Sequence, residues 1–163
     1  QRGRERHGGG VRATTAQRRD LLRVLRDALE PGHDRDVALV HGLADPPRRD
    51  VEDAGLAVAR SVARSNLLKC AVFGNDPNWG RVLSSLGTVP EEVAPFDANA
   101  VDVAINGVTV CRNGGVGDPR ELVDMTGRLV TISIDLKAGG EFVRLLTNDL
   151  TYAYVEENSA YSS

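Results

Sequence analysis

The stretch from Ser65 to Gly87, SNLLKCAVFGNDPNWGRVLSSLG, constrains this chain more than any other. Leu67 to Phe73 is a short apolar run with β-branched and aromatic members, which predicts a buried strand. Gly74-Asn75-Asp76-Pro77-Asn78 gathers turn-forming residues. From Asn78 to Leu86, Val82, Leu83 and Leu86 recur at helical spacing, and Gly87 supplies a C-terminal stop. The expectation is a strand that enters a turn and a turn that launches a helix, with the single tryptophan, Trp79, at the launch point.

Such a turn aims Asp76, Asn78 and the first free backbone N–H groups of the helix at one place, and those N–H groups favour anions. Arg81, one turn in, offers a fixed fork of donors for a carboxylate. A purely structural alternative uses the same residues: Asp76 caps the helix, Trp79 fills a corner of the core, and Arg81 pairs with Asp76.

With 163 residues the chain is long enough for one domain with a real core. Its net charge of −3 gives no overall attraction to nucleic acid or anionic membrane. The charge is unevenly spread. Residues 1–49 are arginine-rich, lack lysine and carry all three histidines, whereas residues 50–163 contain every lysine and are acidic. Cys70 and Cys111 have no CxxC spacing and no nearby histidine, so they predict free, buried, structural thiols rather than a metal site. No apolar run approaches the roughly 20 residues that span a bilayer, and no signal-peptide pattern opens the chain. The expectation is a soluble cytoplasmic protein with no nucleic-acid or membrane partner and no metal.

Along the chain, Gln1 to Arg19 carries Gly8-Gly9-Gly10 and little aliphatic surface, which predicts disorder. Its arginines lack interleaved aromatics for base stacking. Leu21, Leu22, Leu25, Ala28 and Leu29 share a helical face that Pro31-Gly32 ends. Val37 to Val40 is a short strand and Pro46-Pro47 a linker. Asp50 caps a helix reaching about Arg64, with Val51, Ala54, Val58 and Val62 as its buried stripe and Ala59 and Ala63 beside it. Val101, Val103 and Ile105 alternate with polar or small residues, and Asn106-Gly107 is a strong hairpin turn before Val108 and Val110. Arg112 to Gly127 reads as loop. Its Gly114-Gly115-Val116-Gly117 leads into no clear helix, so it is not read as a phosphate cradle. Val130, Ile132, Ile134 and Leu136 mark a half-buried strand; Ala138-Gly139-Gly140 turns into another, Glu141 to Leu146, and Tyr152 to Glu157 is expected to be extended. From Asp50 onward the pattern is α+β, with mostly antiparallel strands and packing helices. No Ser/His/Asp set and no internal repeat is present.

Two stretches carry a resemblance. Asn66 to Gly87, with its Asp-Pro-Asn-Trp-Gly-Arg core, and the final TNDLTYAYVEENSAYSS resemble the ornithine acetyltransferase family, the glutamate N-acetyltransferases (ArgJ enzymes) of arginine biosynthesis. The match covers residues 50–163. It implies an α/β sandwich with two central sheets between helical layers, and autocatalytic cleavage before a threonine that heads the second chain. That threonine takes the acetyl group of N-acetylornithine, releases ornithine and passes the acetyl to glutamate. Its free α-amine can serve as the base for its own hydroxyl, and hydrogen-bond donors steady the oxyanion. The resemblance implies no metal or cofactor, acetyl-CoA as a further substrate of bifunctional members, and a heterotetramer of alpha and beta chains. It also implies that Asn158 and Ser163 contact substrate. A carboxamide can donate to a carboxylate and accept from an ammonium, and a hydroxyl can do either. Asp76, Asn78, Trp79, Gly80 and Arg81 are read as bracing the site.

The front of the chain departs from the family pattern. The Lys-Gly-x-Gly-Met segment with its Met-Ala-Thr cleavage site is absent; Ala13-Thr14 repeats the dipeptide in other surroundings, and Glu30-Pro31-Gly32-His33 is an imperfect counterpart of a substrate-contacting Glu-Gly-Ala-Thr-Lys segment. No catalytic residue is therefore assigned. The chain is expected to be a C-terminal fragment lacking the nucleophile and inactive alone, with residues before about Asp50 an out-of-frame or rearranged translation. The competing expectations are a noncatalytic interaction module and a non-functional truncated fragment.

Overall fold

Among the described residues, six strands and four helices follow in the order β1 (Asp36–Leu43), α1 (Arg49–Arg64), α2 (Asn66–Phe73), α3 (Trp79–Leu86), β2 (Asp102–Ile105), β3 (Val108–Arg112), β4 (Gly115–Val116), β5 (Leu129–Ala138), β6 (Glu141–Asn148) and α4 (Tyr152–Ser159). Single 3₁₀ turns occur at Ala98–Ala100 and Arg120–Leu122. The computed structural model describes the backbone of residues 36–43, 49–138 and 141–160, and the side chains of 54–138 and 142–160. The expectations for Gln1–Arg19, the helix after Asp20, Thr14, Glu30–His33, the Pro46-Pro47 linker, the Gly139-Gly140 turn and Ser163 lie outside the described residues. All described residues fall within one compact unit that begins at Asp34.

The strands form one sheet in the order β4-β3-β2-β5-β1-β6. Only β1 with β5 is parallel; the other four pairings are antiparallel. The alternation in β5 orders this sheet: Val130, Ile132, Ile134 and Leu136 are buried on one face, with Thr131, Ser133 and Asp135 on the other. In register with β5, β1 runs Val37 beside Val130 and Leu39 beside Ile132, so an element before Asp50 is an inner strand of the sheet. Asn106 and Gly107 both take positive φ, 47° and 88°, and close the β2–β3 hairpin as their sequence predicts.

Helix α1 lies against β1 and β6 and touches α2 and α3. It starts at Arg49, so Asp50 falls in its first turn, and Ala54, Val58, Ala59, Val62 and Ala63 form its buried stripe. Leu68 and Val72 of α2, Val82 and Leu86 of α3, Val103 and Ile105 of β2 and the four inward residues of β5 complete one core. Each such aliphatic side chain contributes about 1.5–3 kcal/mol by leaving water.

Three expectations are corrected. Leu67 to Phe73 is not a strand but helix α2. Ser65 caps it by accepting the Leu68 N–H at 3.3 Å, and Leu68, Ala71 and Val72 are buried while Leu67 and Cys70 are exposed. An uninterrupted apolar run looks the same in either state; here the i, i+3, i+4 burial belongs to a helix. Cys70 is consequently exposed rather than buried, whereas Cys111 is buried as expected. Tyr152 to Glu157 is helical rather than extended, because the Thr151 hydroxyl accepts the Tyr154 N–H at 3.0 Å and caps α4. Within the expected loop after Arg112, Asn113 and Gly114 take φ of 49° and 68° and turn β3 into the short β4.

A polar clip secures the far end of the sheet. Asp102 accepts the Asn113 N–H at 2.7 Å, and Lys137 Nζ lies 3.0 Å from Asp102 Oδ2 and donates to Asn113 Oδ1 at 2.6 Å. Burial pushes the Asp102 carboxyl up, but the Asn113 and Lys137 hydrogen bonds and the charges of Lys137 and Arg112 outweigh it, so its pKa ends below the ordinary carboxylate value. Burial, with the neighbouring Asp102 charge, pushes the Cys111 thiol up, which keeps it protonated and inert.

Candidate functional site

The turn between α2 and α3 is built from its own residues. The Gly74 N–H donates to Cys70 O at 3.0 Å and ends α2; Asn75 takes φ of 56°, a conformation asparagine tolerates, and the Asp76 N–H returns to Ala71 O at 2.8 Å. Asn78 then does two things. Its Oδ1 accepts the Arg81 N–H at 3.1 Å, capping α3, and its Nδ2 donates to Asp76 Oδ2 at 2.9 Å. The Arg81 guanidinium donates to the Leu67 carbonyl in the first turn of α2. Trp79 packs half-buried against the core, and Gly80 is exposed.

Asp76 and Asn78 therefore meet as the spacing suggests, but Asn78, not Asp76, is the helix cap. Arg81 does not pair with Asp76. The arginine near that carboxylate is Arg120, with Nη2 3.4 Å from Asp76 Oδ1. Arg120 opens the 3₁₀ turn at Arg120–Leu122, within a stretch the sequence reads as loop, and no local pattern pointed to it.

The C-terminal segment is fixed to the same helix α2. Lys69 Nζ donates to Asn148 Oδ1 at 3.1 Å, the Leu150 N–H donates to Lys69 O at 3.4 Å, and Tyr152 meets Phe73 edge-on with ring centroids 5.2 Å apart at 89°. Asp149, between these contacts, is only 2% exposed. Asn158 is carried on α4, exposed, with its Nδ2 donating to Tyr154 O at 2.7 Å. Its companion Ser163 lies outside the described residues.

An open groove of about 650 Å³ runs between α1 and α3, lined in part by Arg60, Ser61, Arg64, Ser65 and Thr88. A smaller one of about 270 Å³ lies by Leu86, Phe96 and Asn99. Neither is lined by Asn158 or by any of Asp76 to Arg81. Among the described residues no cluster of three or more His, Cys, Asp or Glu is placed to hold a metal ion, and no helix is long and apolar enough to cross a membrane.

Comparison with known proteins bears on this arrangement. Residues 48–163 match the ArgJ family model. The chain belongs to the ArgJ family. It is 59% identical over 113 residues to the arginine biosynthesis bifunctional protein ArgJ of Bifidobacterium longum, covering 69% of this chain and 29% of the relative. It is 51% identical over 140 residues to the protein of the same name from Streptomyces coelicolor, covering 86% of this chain and 34% of the relative. The crystal structure of the arginine biosynthesis bifunctional protein ArgJ of Bacillus halodurans matches with a TM-score of 0.67 at 25% identity, over 87% of this chain and 64% of that one. The α+β fold is thus that of an ArgJ protein. This chain spans about a third of the length of the curated relatives it matches. A match of 140 residues does not fit within residues 50–163, so the likeness to the Streptomyces coelicolor protein reaches into the segment before Asp50 that contains β1.

Proposed function

We propose that this chain supplies the substrate-holding part of a glutamate N-acetyltransferase, which moves acetyl from N-acetylornithine to glutamate in arginine biosynthesis. The nucleophilic threonine lies in the part of the enzyme that these residues do not span, the alpha chain or the N-terminal part of the protein. Its hydroxyl attacks the acetyl carbonyl of N-acetylornithine; the C–N bond breaks and ornithine leaves with the proton on its amine. The amine of glutamate then attacks the acetyl-threonine ester, and the threonine hydroxyl is regenerated. Backbone or side-chain donors steady the oxyanion in each step. In this reading Asn158 and Ser163 hold the amino-acid substrate, Asp76, Asn78, Trp79, Gly80 and Arg81 brace the site, and the complete enzyme is a cytoplasmic heterotetramer. Acetyl-CoA serves as a further acetyl donor if the enzyme is of the bifunctional type.

The supporting observation is the shared attachment to α2. Phe73, at its end, supports Tyr152 at the start of the helix that carries Asn158, and the next residues form the Asp76–Arg81 turn. Most polar groups of that turn already serve one another or α2: Asn78 binds Asp76 Oδ2 and the Arg81 N–H, and Arg81 binds Leu67, while among the described residues the buried Asp76 Oδ1 accepts no hydrogen bond and has only Arg120 nearby, at 3.4 Å. That favours a positioning role for the turn and leaves substrate contact to the C-terminal segment.

Acetyl transfer from N-acetylornithine to glutamate, followed by ornithine release, tests this. The chain alone is expected to be inactive, and a mixture with the complementary part of an ArgJ protein active. Activity of the chain alone refutes the assignment of the nucleophile elsewhere; an assembled but inactive mixture refutes the function.

A further inference from the structure

The two faces of the sheet are unlike, and one arginine marks the difference. On β6, Val143 and Leu145 pack against the core, and the Thr147 hydroxyl donates to Ala63 O of α1 at 3.2 Å, so these residues look toward the helices. Alternation along a strand puts Phe142, Arg144 and Leu146 on the opposite face. Phe142 and Leu146 are 52% and 50% exposed. Arg144 lies between them, its guanidinium carbon 5.9 Å from the Phe142 ring centroid. In register, Arg144 stands beside Val40 of β1, and Val40 beside Ser133 of β5, so the arginine heads a row that crosses the sheet.

Nε and Nη1 of Arg144 are buried and have no hydrogen-bond partner. Among the described residues Arg144 makes no ion pair. Burial lowers its pKa, the signature of a charge with too little solvent around it. A guanidinium keeps its proton in proteins, so it cannot relieve that burial by neutralising. Covered donors of a charged group that meet no acceptor are among the least favourable arrangements a fold carries. Two half-exposed apolar side chains flanking an arginine also match the composition of interface centres, where arginine and aromatic residues are enriched.

We propose that Arg144 anchors an interface: the polypeptide that covers this face of the sheet sets a carboxylate against its guanidinium, with Phe142 and Leu146 as the apolar flanks. The occupant is the remaining part of an ArgJ polypeptide, the roughly two thirds of the relatives' length that this chain does not span. A carboxylate fits better than a carbonyl, because a cover removes the last solvent from the guanidinium and a buried charge then needs an opposite one. The inference rests on the proposed function's reading that the rest of the enzyme completes the site, and its test separates the two.

The chain is co-expressed with the part of the Streptomyces coelicolor ArgJ protein that precedes the matched region, and the affinity of the purified pair is measured for wild type, Arg144→Met and Arg144→Lys. Truncating one partner of a desolvated charge pair weakens binding by about thirtyfold or more. Arg144→Met is expected to show that loss, and Arg144→Lys an intermediate one because its point charge lacks the planar fork. The unfolding midpoint of the chain alone is expected to stay level or rise in Arg144→Met, since unmet donors are removed. Wild-type binding with no loss in Arg144→Met overturns the anchor and leaves the assembly reading standing. Failure of the wild type to bind overturns both. A fall in the isolated midpoint of Arg144→Met shows that the arginine is satisfied within the chain and overturns the anchor, as does a wild-type chain that self-associates through this face instead.

Discussion

Gly80 separates what the Asp76–Arg81 turn needs for folding from what it needs for function. It lies in the first turn of α3 with ordinary helical geometry, and a methyl group added there would meet only Asn78 Oδ1, at 3.5 Å. That is normal van der Waals contact, and Gly80 is otherwise exposed. Nothing among the described residues therefore requires glycine at position 80. Alanine loses less backbone entropy on entering a helix, by about 0.5–1 kcal/mol in a helix interior. The first turn supports the lower half of that range, so Gly80→Ala is expected to stabilise the isolated chain by about 0.5 kcal/mol, or roughly 1–2 °C in Tm. Gly117 is the control. A Cβ there would strike the Thr109 carbonyl oxygen and crowd Val110 C at 2.9 Å, both backbone atoms held in the sheet. Overpacking of that kind costs about 1–3 kcal/mol, so Gly117→Ala is expected to lower Tm by several degrees.

The assay is thermal and urea unfolding of the two variants beside the wild type, followed by acetyl transfer in the reconstituted mixture. If the open side of Gly80 is where substrate or companion chain approaches, Gly80→Ala raises Tm and lowers activity together. A drop in Tm for Gly80→Ala refutes the reasoning, because it means that the added methyl meets something the geometry lacks. Raised Tm with unchanged activity removes the turn from the proposed site and leaves the packing argument intact.

Two further expectations concern the thiols and the polar clip. Cys70 should label rapidly with a water-soluble maleimide under native conditions, whereas Cys111 should label only on unfolding, being buried with a raised pKa; a Cys70 as slow as Cys111 would contradict the helical placement of Leu67 to Phe73, and a fast Cys111 would contradict its burial. The Asp102 carboxyl has a folded-state pKa below its unfolded value, so its stabilisation is present above the unfolded pKa of about 3.9 and is lost as pH falls through the folded one. Urea titrations should accordingly show the wild type losing part of its advantage over Asp102→Asn as pH drops from 5 toward 2.5, and a gap that is constant with pH would show that the carboxylate charge contributes nothing.

What the sequence disclosed depended on how local each signal was. The strand around Ile132 and the Asn106-Gly107 hairpin were legible because alternation and a turn needing positive φ are local patterns. Helix α1 was legible for the same reason, through the spacing of Ala54, Val58 and Val62. Leu67 to Phe73 was misread because a contiguous apolar run carries no period; the deciding signal was Ser65, an N-cap just ahead of it. Helix α4 was missed because none of its residues is buried, so it has no apolar stripe to detect, and Thr151 was its only marker. Nothing local foretold that β1 would pair in parallel with β5, or that Arg120 would approach Asp76, since each contact joins distant segments. In the candidate site the motif residues were visible, but the role of Asn78 as cap and the turning of Arg81 toward Leu67 emerged only with the packing of α2 against α3.

The way α4 is held links the two proposals. Its start is fastened, with Tyr152 against Phe73 and the Leu150 N–H on Lys69 O, but beyond that point it has no buried residue and its hydrogen bonds lie within the helix or its cap. A segment with few buried apolar contacts opens at low free energy. Asn158 lies about two turns past the fastening, and among the described residues its side chain has only the Tyr154 carbonyl as partner, less than the rigid support a binding constellation needs. The Asp76–Arg81 turn has the opposite character, with Asn78 and Arg81 already engaged in hydrogen bonds, and in the proposed function it is the firm base rather than the ligand. Substrate affinity in such an arrangement has to come from whatever clamps α4 down onto that base. A companion polypeptide seated on the Arg144 face would bring its mass beside β6, the strand that runs directly into Asp149 and α4, and would order Asn158 as it binds. Assembly and substrate binding are then coupled and reciprocal: N-acetylornithine should tighten the pair, and Arg144→Met should weaken substrate binding without touching any group that contacts it.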